Sequence, residues 1–281
     1  MSFDIKAPAK LNLTLEVLRK RPDGYHEIRS VLQVISLCDN LRFQEADGIE
    51  ISASNPEWLP EKSLVARAAS LVQGCASAPR GARIVIEKRI PLVAGLGGDS
   101  SDAAATLLGL DRLWKLEMSR ETLLEMAAGL GSDVPFFLYG GTALAAGRGE
   151  VVTPLPPFPC MWVVLIVPPG DRLPGKTARL YSSLKASDFS DGSVTEAFVS
   201  ELEAGRAPAG YFNVFEKTAF ASGETRAYLS RLAGMGATGV HLAGSGPALF
   251  TLPRDGEADR QLYGRCRGAG LEAYLAQTGS P

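Results

Sequence analysis

A glycine-rich segment that runs into small residues, at positions 91–105, constrains the fold of this chain more than any other feature. It reads Pro-Leu-Val-Ala-Gly-Leu-Gly-Gly-Asp-Ser-Ser-Asp-Ala-Ala-Ala, and its glycines permit tight turns and close backbone approach. We expect a helix over 100–114, with Ser100 or Ser101 as N-cap and Asp102 in its first turn. A loop that leads into a helix N-terminus gathers unpaired N–H groups and the positive end of the helix dipole. The segment therefore predicts a phosphate site, with a serine-capped turn as the alternative.

The composition excludes several classes of protein. The chain has 281 residues, which is long enough for two domains. Its net charge of −2 offers no basic surface for nucleic acid. The 4 cysteines form no CxxC pair, which argues against a zinc site and a disulfide framework, so no metal ligands are assigned. The N-terminus lacks a signal-peptide core, and the longest apolar run, 160–167, is too short to span a bilayer. We therefore expect a cytoplasmic protein with neither membrane nor nucleic-acid partners.

The first half of the chain predicts a mixture of strands and helices. Alternating apolar and polar residues over 11–17 predict a half-buried strand, with Lys10 on its polar face and pointing away from the core. The proline-rich stretch 154–159 is typical of a connection between domains, and we divide the chain into 1–157 and 158–281. Further strands are expected near 30–37, 41–45, 48–53 and 83–88, and helices near 62–73, 100–114 and 119–129.

The second half predicts the order β-α-β-β-α-β with extra helices inserted, which is the ferredoxin-like order. Asn213 is expected to cap or begin one of the inserted helices. The strands are expected at 161–167, 238–243, 248–252 and 271–276, and the helices at 177–185, 193–204, 211–221, 224–233 and 257–267.

A second candidate phosphate loop lies at 170–177. It reads Gly-Asp-Arg-Leu-Pro-Gly-Lys-Thr and matches the Walker A pattern letter for letter. Pro168 and Pro169 separate it from the preceding strand, and no apolar strand ending in a magnesium-binding aspartate follows it. The remaining chain also lacks the alternating pattern of a parallel nucleotide-binding sheet. We therefore interpret this match as coincidental.

Further segments give the chain a family resemblance. Residues 7–14 read Ala-Pro-Ala-Lys-Leu-Asn-Leu-Thr, 21–26 read Arg-Pro-Asp-Gly-Tyr-His, 131–137 read Gly-Ser-Asp-Val-Pro-Phe-Phe, and 241–250 read His-Leu-Ala-Gly-Ser-Gly-Pro-Ala-Leu-Phe. With the glycine loop, they make nearly the whole chain resemble the GHMP kinases, the superfamily of galactokinase and of homoserine, mevalonate and phosphomevalonate kinases. Within it, the chain resembles a branch that acts on a cytidine diphosphate-linked alcohol. Around 175–181 it matches that branch only at its threonine and tyrosine.

The resemblance implies a fold, ligands and an ATP site. The fold would be α+β with two domains, the N-terminal one like domain 2 of ribosomal protein S5 and the C-terminal one ferredoxin-like. ATP and Mg²⁺ would be the cofactors of a monomer or homodimer that phosphorylates a small molecule. A different GHMP kinase or a non-catalytic nucleotide-binding protein is the alternative. The ATP-binding residues would be Pro91, Leu92, Val93, Ala94, Gly95, Leu96, Gly97, Gly98, Asp99, Ser100 and Ser101.

The resemblance also assigns the catalytic residues. Phosphoryl transfer to an alcohol needs a carboxylate that orients and deprotonates the hydroxyl, and the resemblance gives this role to Asp133 with Lys10 as its cationic partner. From the residues alone, Asp133 is as well explained as a helix cap and Lys10 as a solvated lysine. Asp99 stands where the family has glycine, and we expect its carboxylate to point outward or to contact Mg²⁺.

The substrate side is implied in the same way. Tyr25 and His26 would hold a cytosine by stacking and hydrogen bonding, although Asp-Gly before them is also a plain turn signal. Surface packing explains Tyr181 equally well, and a tight hairpin explains Gly244 and Ser245. The full set of substrate-binding residues would be Asn12, Asp23, Tyr25, His26, Tyr181, Gly244 and Ser245.

Overall fold

Two sheets and the helices that cover them make up the fold in the computed structural model, which describes residues 2–76, 80–170, 175–252 and 256–279. The strands are β1 (Ser2–Asn12), β2 (Thr14–Lys20), β3 (His26–Ala46), β4 (Ile49–Ala53), β5 (Gly81–Glu87), β6 (Thr142–Gly147), β7 (Val151–Pro154), β8 (Trp162–Val167), β9 (Phe212–Asn213), β10 (His241–Leu242), β11 (Leu249–Thr251) and β12 (Glu272–Gln277). The helices are α1 (Leu64–Gly74), α2 (Gly98–Trp114), α3 (Arg120–Leu130), α4 (Val134–Tyr139), α5 (Lys176–Ser183), α6 (Ser193–Glu203), α7 (Glu216–Ala219), α8 (Gly223–Gly234) and α9 (Gly256–Gly268).

The larger sheet is organised around β3, which pairs with β1, β2, β5 and β6 in antiparallel fashion. The two strands predicted at 30–37 and 41–45 are one strand of 21 residues. The segment between them stays in the ladder because Asn40 pairs with Lys6 of β1 on one side and Glu87 of β5 on the other. Helices α1 and α2 pack together over this sheet, with Phe43, Ile84 and Leu107 fully buried between the layers.

The prediction of one half-buried strand over 11–17 is wrong, because the segment divides between two strands and is buried on both faces. The chain leaves β1 at Asn12 and begins β2 at Thr14, and both the apolar and the polar positions are buried. Glu16 is inaccessible to solvent because α6 covers it, and its carboxylate accepts the backbone N–H of Thr195 at 2.7 Å. Lys10 is only 4% exposed. The alternation therefore predicted which way each side chain points but not that both faces would be covered.

The smaller sheet has the antiparallel order β10-β11-β8-β12, and it confirms the ferredoxin-like arrangement predicted for the second half. The helix predicted over 211–221 is wrong in its first part, because Asn213 belongs to β9 and only Glu216–Ala219 form a helix. The Asn213 amide donates to the carbonyl oxygens of Leu242 and Gly244 at 2.9 and 2.8 Å. It therefore ties β9 to the turn after β10 rather than capping a helix.

The two halves of the chain share a hydrophobic core. One cluster joins Leu11 and Val31 of the larger sheet to Leu165 and Phe250 of the smaller one. The short strand β9, from the second half, pairs in parallel with β2 of the first half. Segments of both halves therefore meet along a common surface, where the site described below lies.

Helix α2 begins at Gly98 with Gly97 as its N-cap, so the prediction of a cap at Ser100 or Ser101 is wrong. Gly97 has a φ of 73° and adopts the left-handed conformation that favours glycine. A Cβ there would lie 2.9 Å from the Phe137 ring and 3.0 Å from Lys10 Cγ. A side chain at this position would therefore be both strained and crowded, and the helix starts two residues before the serines.

Candidate active site

A cleft of about 830 Å³ lies where the glycine loop, β1, the segment 23–26, α5 and the turn 244–246 converge. It brings together most of the residues that the sequence predicted for the site. From the predicted set, it is lined by Lys10, Asn12, Asp23, Tyr25, His26, Val93, Gly95, Gly97, Ser100, Asp133, Tyr181, Gly244 and Ser245.

Lys10 and Asp133 face each other across this cleft. Lys10 Nζ lies 3.4 Å from Asp133 Oδ2, with the lysine side chain 6% exposed and the aspartate 37% exposed. Asp133 stands at the N-terminus of α4, yet its side chain makes no capping hydrogen bond. The carboxylate is thus left for the cleft, which favours the catalytic interpretation over the cap.

The Lys10 ammonium is held by a short chain of hydrogen bonds. It donates to Asn12 Oδ1 at 2.7 Å, and Asn12 Nδ2 donates to Ser30 Oγ at 2.8 Å. Ser30 Oγ in turn donates to the Thr14 carbonyl oxygen at 2.5 Å. Since all three polar groups are buried and bonded, the network fixes where the lysine charge sits. Asn12, predicted to bind substrate, is placed to orient Lys10.

The glycine loop is fixed between β1 and the smaller sheet. The Lys10 N–H donates to the Leu96 carbonyl at 2.9 Å, and the Ala248 N–H donates to the Ala94 carbonyl at 3.1 Å. The side chains of Ala94 and Leu96 are buried in the shared core, so only their backbone is available to a ligand. Residues 97–100 form the turn that opens α2, where free amides and the helix dipole favour an anion.

A buried ion cluster beneath the loop was missed in the sequence. Lys88 Nζ donates to Asp102 Oδ2 at 2.7 Å and to Asp39, and all three side chains are 2% exposed or less. Burial, reinforced by the neighbouring Asp39 charge, raises the pKa of Asp102 to about 8 despite Lys88. Asp102 lies in the fifth position of α2 rather than in its first turn. A Cβ on Gly98 would lie 3.6 Å from Lys88 Nζ, so the cluster directly supports the start of α2.

Asp99 has a structural partner that accounts for its place in the loop. Its Oδ2 accepts the backbone N–H of Leu64, the first residue of α1, at 3.1 Å. The carboxylate thus satisfies one of the free amides at a helix N-terminus. The expectation that Asp99 points outward is therefore wrong, because its side chain joins α2 to α1, and the alternative of contact with Mg²⁺ stays a prediction.

Aromatic residues line the end of the cleft opposite the glycine loop. The rings of His26 and Tyr181 lie 5.4 Å apart between centroids, and Tyr181 packs edge-on against Phe215 at 4.9 Å. Burial lowers the pKa of His26, and the Lys20 charge lowers it further, which favours the neutral form of the imidazole. A neutral imidazole both donates and accepts hydrogen bonds, which suits the polar edge of a base.

Tyr25 stands at the mouth of the same pocket, 53% exposed, with the Arg148 guanidinium 4.8 Å from its ring centroid. Asp23 Oδ1 accepts the Tyr25 N–H at 3.1 Å and shapes the turn that presents the ring. Arg148 was not predicted, although the Gly-Arg-Gly-Glu stretch that contains it is conspicuous in the sequence. Together these residues provide a flat, partly cationic surface for a planar ligand.

The Walker A-like match at 170–177 ends inside the cleft. Residues 171–174 lie outside the described residues, so the loop itself is not assessed. Gly175, Lys176 and Thr177 line the cavity, and Thr177 Oγ1 lies 2.7 Å from Ser245 Oγ. The segment was interpreted as a coincidence, yet its last residues belong to the wall of the site.

The fold and this cleft are those of a GHMP kinase, and comparisons with known proteins agree. The family pattern of the GHMP kinases N terminal domain matches residues 63–141. A 4-diphosphocytidyl-2-C-methyl-D-erythritol kinase of Dehalococcoides mccartyi is 48% identical over 98% of this chain and 98% of its own length. One of Shouchella clausii is 39% identical over 99% and 94%. The chain therefore belongs to the 4-diphosphocytidyl-2-C-methyl-D-erythritol kinase family.

A solved structure supports this placement. A crystal structure of a 4-(cytidine 5'-diphospho)-2C-methyl-D-erythritol kinase superposes with a TM-score of 0.84 at 37% sequence identity, covering 99% of this chain and 100% of the other. Within the described part of the chain, none of the helices is both long and apolar enough to cross a bilayer.

Proposed function

We propose that this protein transfers the γ-phosphoryl group of ATP to the 2-hydroxyl of 4-diphosphocytidyl-2-C-methyl-D-erythritol, giving the 2-phosphate and ADP. This reaction belongs to the non-mevalonate route to isoprenoid precursors. The observation that carries the proposal is the Lys10–Asp133 pair, 3.4 Å apart between the glycine loop and the aromatic pocket. The family membership supports the substrate.

The pair suits phosphoryl transfer to an alcohol. Asp133 accepts a hydrogen bond from the substrate hydroxyl and takes its proton as the oxygen–phosphorus bond forms and ADP leaves. Lys10 lies beside both Asp133 and Gly97, so its charge stabilises the carboxylate and the negative charge on the transferring group. Because Asn12 and Ser30 hold Lys10 in place, little reorganisation is needed during the reaction.

The ATP side fits a nucleotide phosphate. The unpaired amides at the start of α2 and the Lys10 ammonium supply donors and positive charge on the same wall of the cleft. Among residues 2–76, 80–170, 175–252 and 256–279, no three His, Cys, Asp or Glu side chains are grouped to hold a metal. Mg²⁺ commonly binds through nucleotide phosphates and water with few protein ligands, and Ser100 and Asp133 are two of the oxygen-bearing side chains that line the cleft beside the loop. Bound there, it would neutralise phosphate charge.

Two substitutions test the chemistry. We expect Lys10→Ala and Asp133→Asn each to lower kcat by about 10²–10⁴-fold, with a much smaller effect on ATP affinity measured by calorimetry. Lys62→Ala and Asp47→Asn remove exposed charges elsewhere and serve as matched controls. Near-normal turnover in either cleft variant would remove that residue from the mechanism.

An ADP-release assay across a panel tests the substrate. The panel contains 4-diphosphocytidyl-2-C-methyl-D-erythritol, mevalonate, phosphomevalonate, homoserine and galactose. We expect turnover of the cytidyl compound alone, because the others have no base for Tyr25, His26 and Tyr181 to contact. Preferred turnover of another alcohol would identify a different GHMP kinase, and ATP binding without turnover would indicate a non-catalytic nucleotide-binding protein. The cytoplasmic location and the monomeric or homodimeric state stay predictions.

A further inference from the structure

Lys176 is a charged side chain in the catalytic cleft that the chemistry above does not use. It begins α5, lines the cavity and is half-buried. Burial lowers the pKa of its ammonium, and no carboxylate within the described part of the chain counteracts this. Among the described residues none forms a hydrogen bond or ion pair with it. Partly burying an unpaired charge costs free energy, so this ammonium group is available to an anionic ligand in the cleft.

The turn 244–246 lies between this lysine and the catalytic one. A Cβ on Gly244 would lie 3.3 Å from Lys10 Nζ, and a Cβ on Gly246 would lie 3.5 Å from Lys176 Nζ. Each end of the turn therefore has an ammonium group beside it. The turn carries no side chain at either glycine, and this lets each ammonium group lie close to its backbone, while both lysines line the cleft.

The start of α5 is fastened to the same turn. Thr177 Oγ1 and Ser245 Oγ lie 2.7 Å apart, so one donates to the other. This contact holds the first residues of α5 against the turn, and Lys176 Nζ lies beside Gly246 of the same turn. The second cation is therefore carried by a segment that forms part of the cleft wall.

Helix α5 also indicates which anion is bound. It carries Tyr181 against His26 in the aromatic pocket, five residues beyond Lys176 and so roughly 7.5 Å further along the helix axis. A nucleotide separates its base from its phosphates by a ribose. A base held at Tyr181 and His26 therefore places its phosphates near the first turn of α5.

We propose that Lys176 binds the diphosphate group of the nucleotide-linked substrate and so positions that substrate for phosphorylation. This inference rests on the proposed function, since it takes a nucleoside diphosphate-linked alcohol as the acceptor. An ammonium group that gives charge-assisted hydrogen bonds to a diphosphate contributes to substrate binding before the chemical step. Lys176 therefore affects the KM of the cytidyl substrate more than kcat.

The test compares Lys176→Met and Lys176→Gln with Lys176→Arg, and with Lys62→Met as an exposed control, in the full-length protein. KM is measured for the cytidyl substrate and for ATP, and inhibition constants are measured for CDP and cytidine against the cytidyl substrate. We expect the neutral variants to raise that substrate's KM and the CDP inhibition constant about tenfold or more. The KM of ATP and the cytidine inhibition constant should change little, and Lys176→Arg should retain most of the affinity.

Three outcomes would overturn the inference. A rise in the KM of ATP instead would show that Lys176 serves the nucleotide donor. Equal weakening of CDP and cytidine would show a structural role without phosphate recognition, and unchanged constants would show no role. If the wild type binds CDP by calorimetry without phosphorylating the cytidyl substrate, the proposed function fails, while loss of CDP affinity in Lys176→Met still supports the phosphate contact.

Discussion

Replacing Lys88 by methionine removes the only cation from a buried cluster with two carboxylates. Lys88 is 2% exposed, and Asp39 and Asp102 are inaccessible to solvent. Breaking a buried ion pair by removing one partner costs about 3–5 kcal/mol of unfolding free energy. That is a large share of the ~5–15 kcal/mol that stabilises a typical protein. We therefore expect Lys88→Met to be strongly destabilised in urea denaturation.

The two carboxylates do not share this cost equally. Asp39 keeps the backbone N–H groups of Arg89 and Ile90, at 2.5 and 2.8 Å. Asp102 loses Lys88, and its Oδ1 has no hydrogen-bond partner. The free-energy cost of an unpaired buried charge should therefore arise mainly at Asp102, and protonation of its carboxylate would remove that cost.

The penalty has a definite pH dependence. The pKa of folded Asp102, already raised to about 8 by burial and then by Asp39, rises further without Lys88. A carboxyl whose folded pKa lies above its unfolded value of 3.8 stabilises the protein at low pH and loses that contribution as pH rises through the folded pKa. The loss of unfolding free energy in Lys88→Met, relative to the wild type, should thus be larger at pH 9 than at pH 6.

A second substitution checks this reasoning. Asp102→Asn, added to Lys88→Met, removes the unpaired charge and should restore more stability at pH 9 than at pH 6. Lys62→Met is the exposed control. An unfolding free energy of Lys88→Met within about 1 kcal/mol of the wild-type value at both pH values would refute the argument. A loss of stability that does not depend on pH and that Asp102→Asn does not relieve would also refute it.

Three further predictions concern single positions. Asp99→Gly removes the acceptor for the first amide of α1 and should lower stability by about 1 kcal/mol while activity persists; complete loss of activity would contradict the structural role. Gly109→Ala places a Cβ 2.3 Å from the Phe43 ring and should lower Tm, whereas Gly264→Ala, in a helix with open space around it, should raise Tm slightly; the opposite order would refute the packing argument. Tyr25→Ala should raise KM for the cytidyl substrate and leave that of ATP unchanged, and a defect selective for ATP would count against the assignment.

Local sequence patterns predicted the helices and strands better than they predicted which side chains other segments would bury. The alternation over 11–17 correctly placed Lys10 on the side opposite the apolar core, because side-chain direction has a period of two in any strand. It did not show that the polar side would be covered, since α6, which covers it, lies almost 180 residues further along the chain. Asn213 was assigned to a helix for the same reason, because the carbonyl groups that it bonds belong to a distant turn.

The site shows the same division between local and distant information. The phosphate loop was recognised because its residue types are unusual over a few positions, and the Asp133 segment because it resembles a family motif. Lys88 and Asp39 are ordinary residues in their own segments, 49 residues apart in the sequence, and only folding brings them together in one buried cluster. The fit of 170–177 to a motif was likewise judged on its neighbours in sequence, whereas its last residues line the cleft beside the distant turn 244–246, which Thr177 contacts at Ser245.

The contact between the glycine loop and the turn after β10 explains why both are rich in glycine. A Cβ on Gly95 would lie 2.1 Å from the Ala243 carbonyl oxygen, and one on Gly244 would lie 2.8 Å from the Gly95 carbonyl oxygen. The Ala248 N–H completes the contact by donating to the Ala94 carbonyl. These glycines therefore let the two halves of the chain touch backbone to backbone, and this contact brings the two cleft lysines to opposite ends of one turn. The glycine-rich pattern in the sequence therefore has two causes. It suits phosphate binding, and it allows the close contact between the two halves of the chain along which the cleft lies.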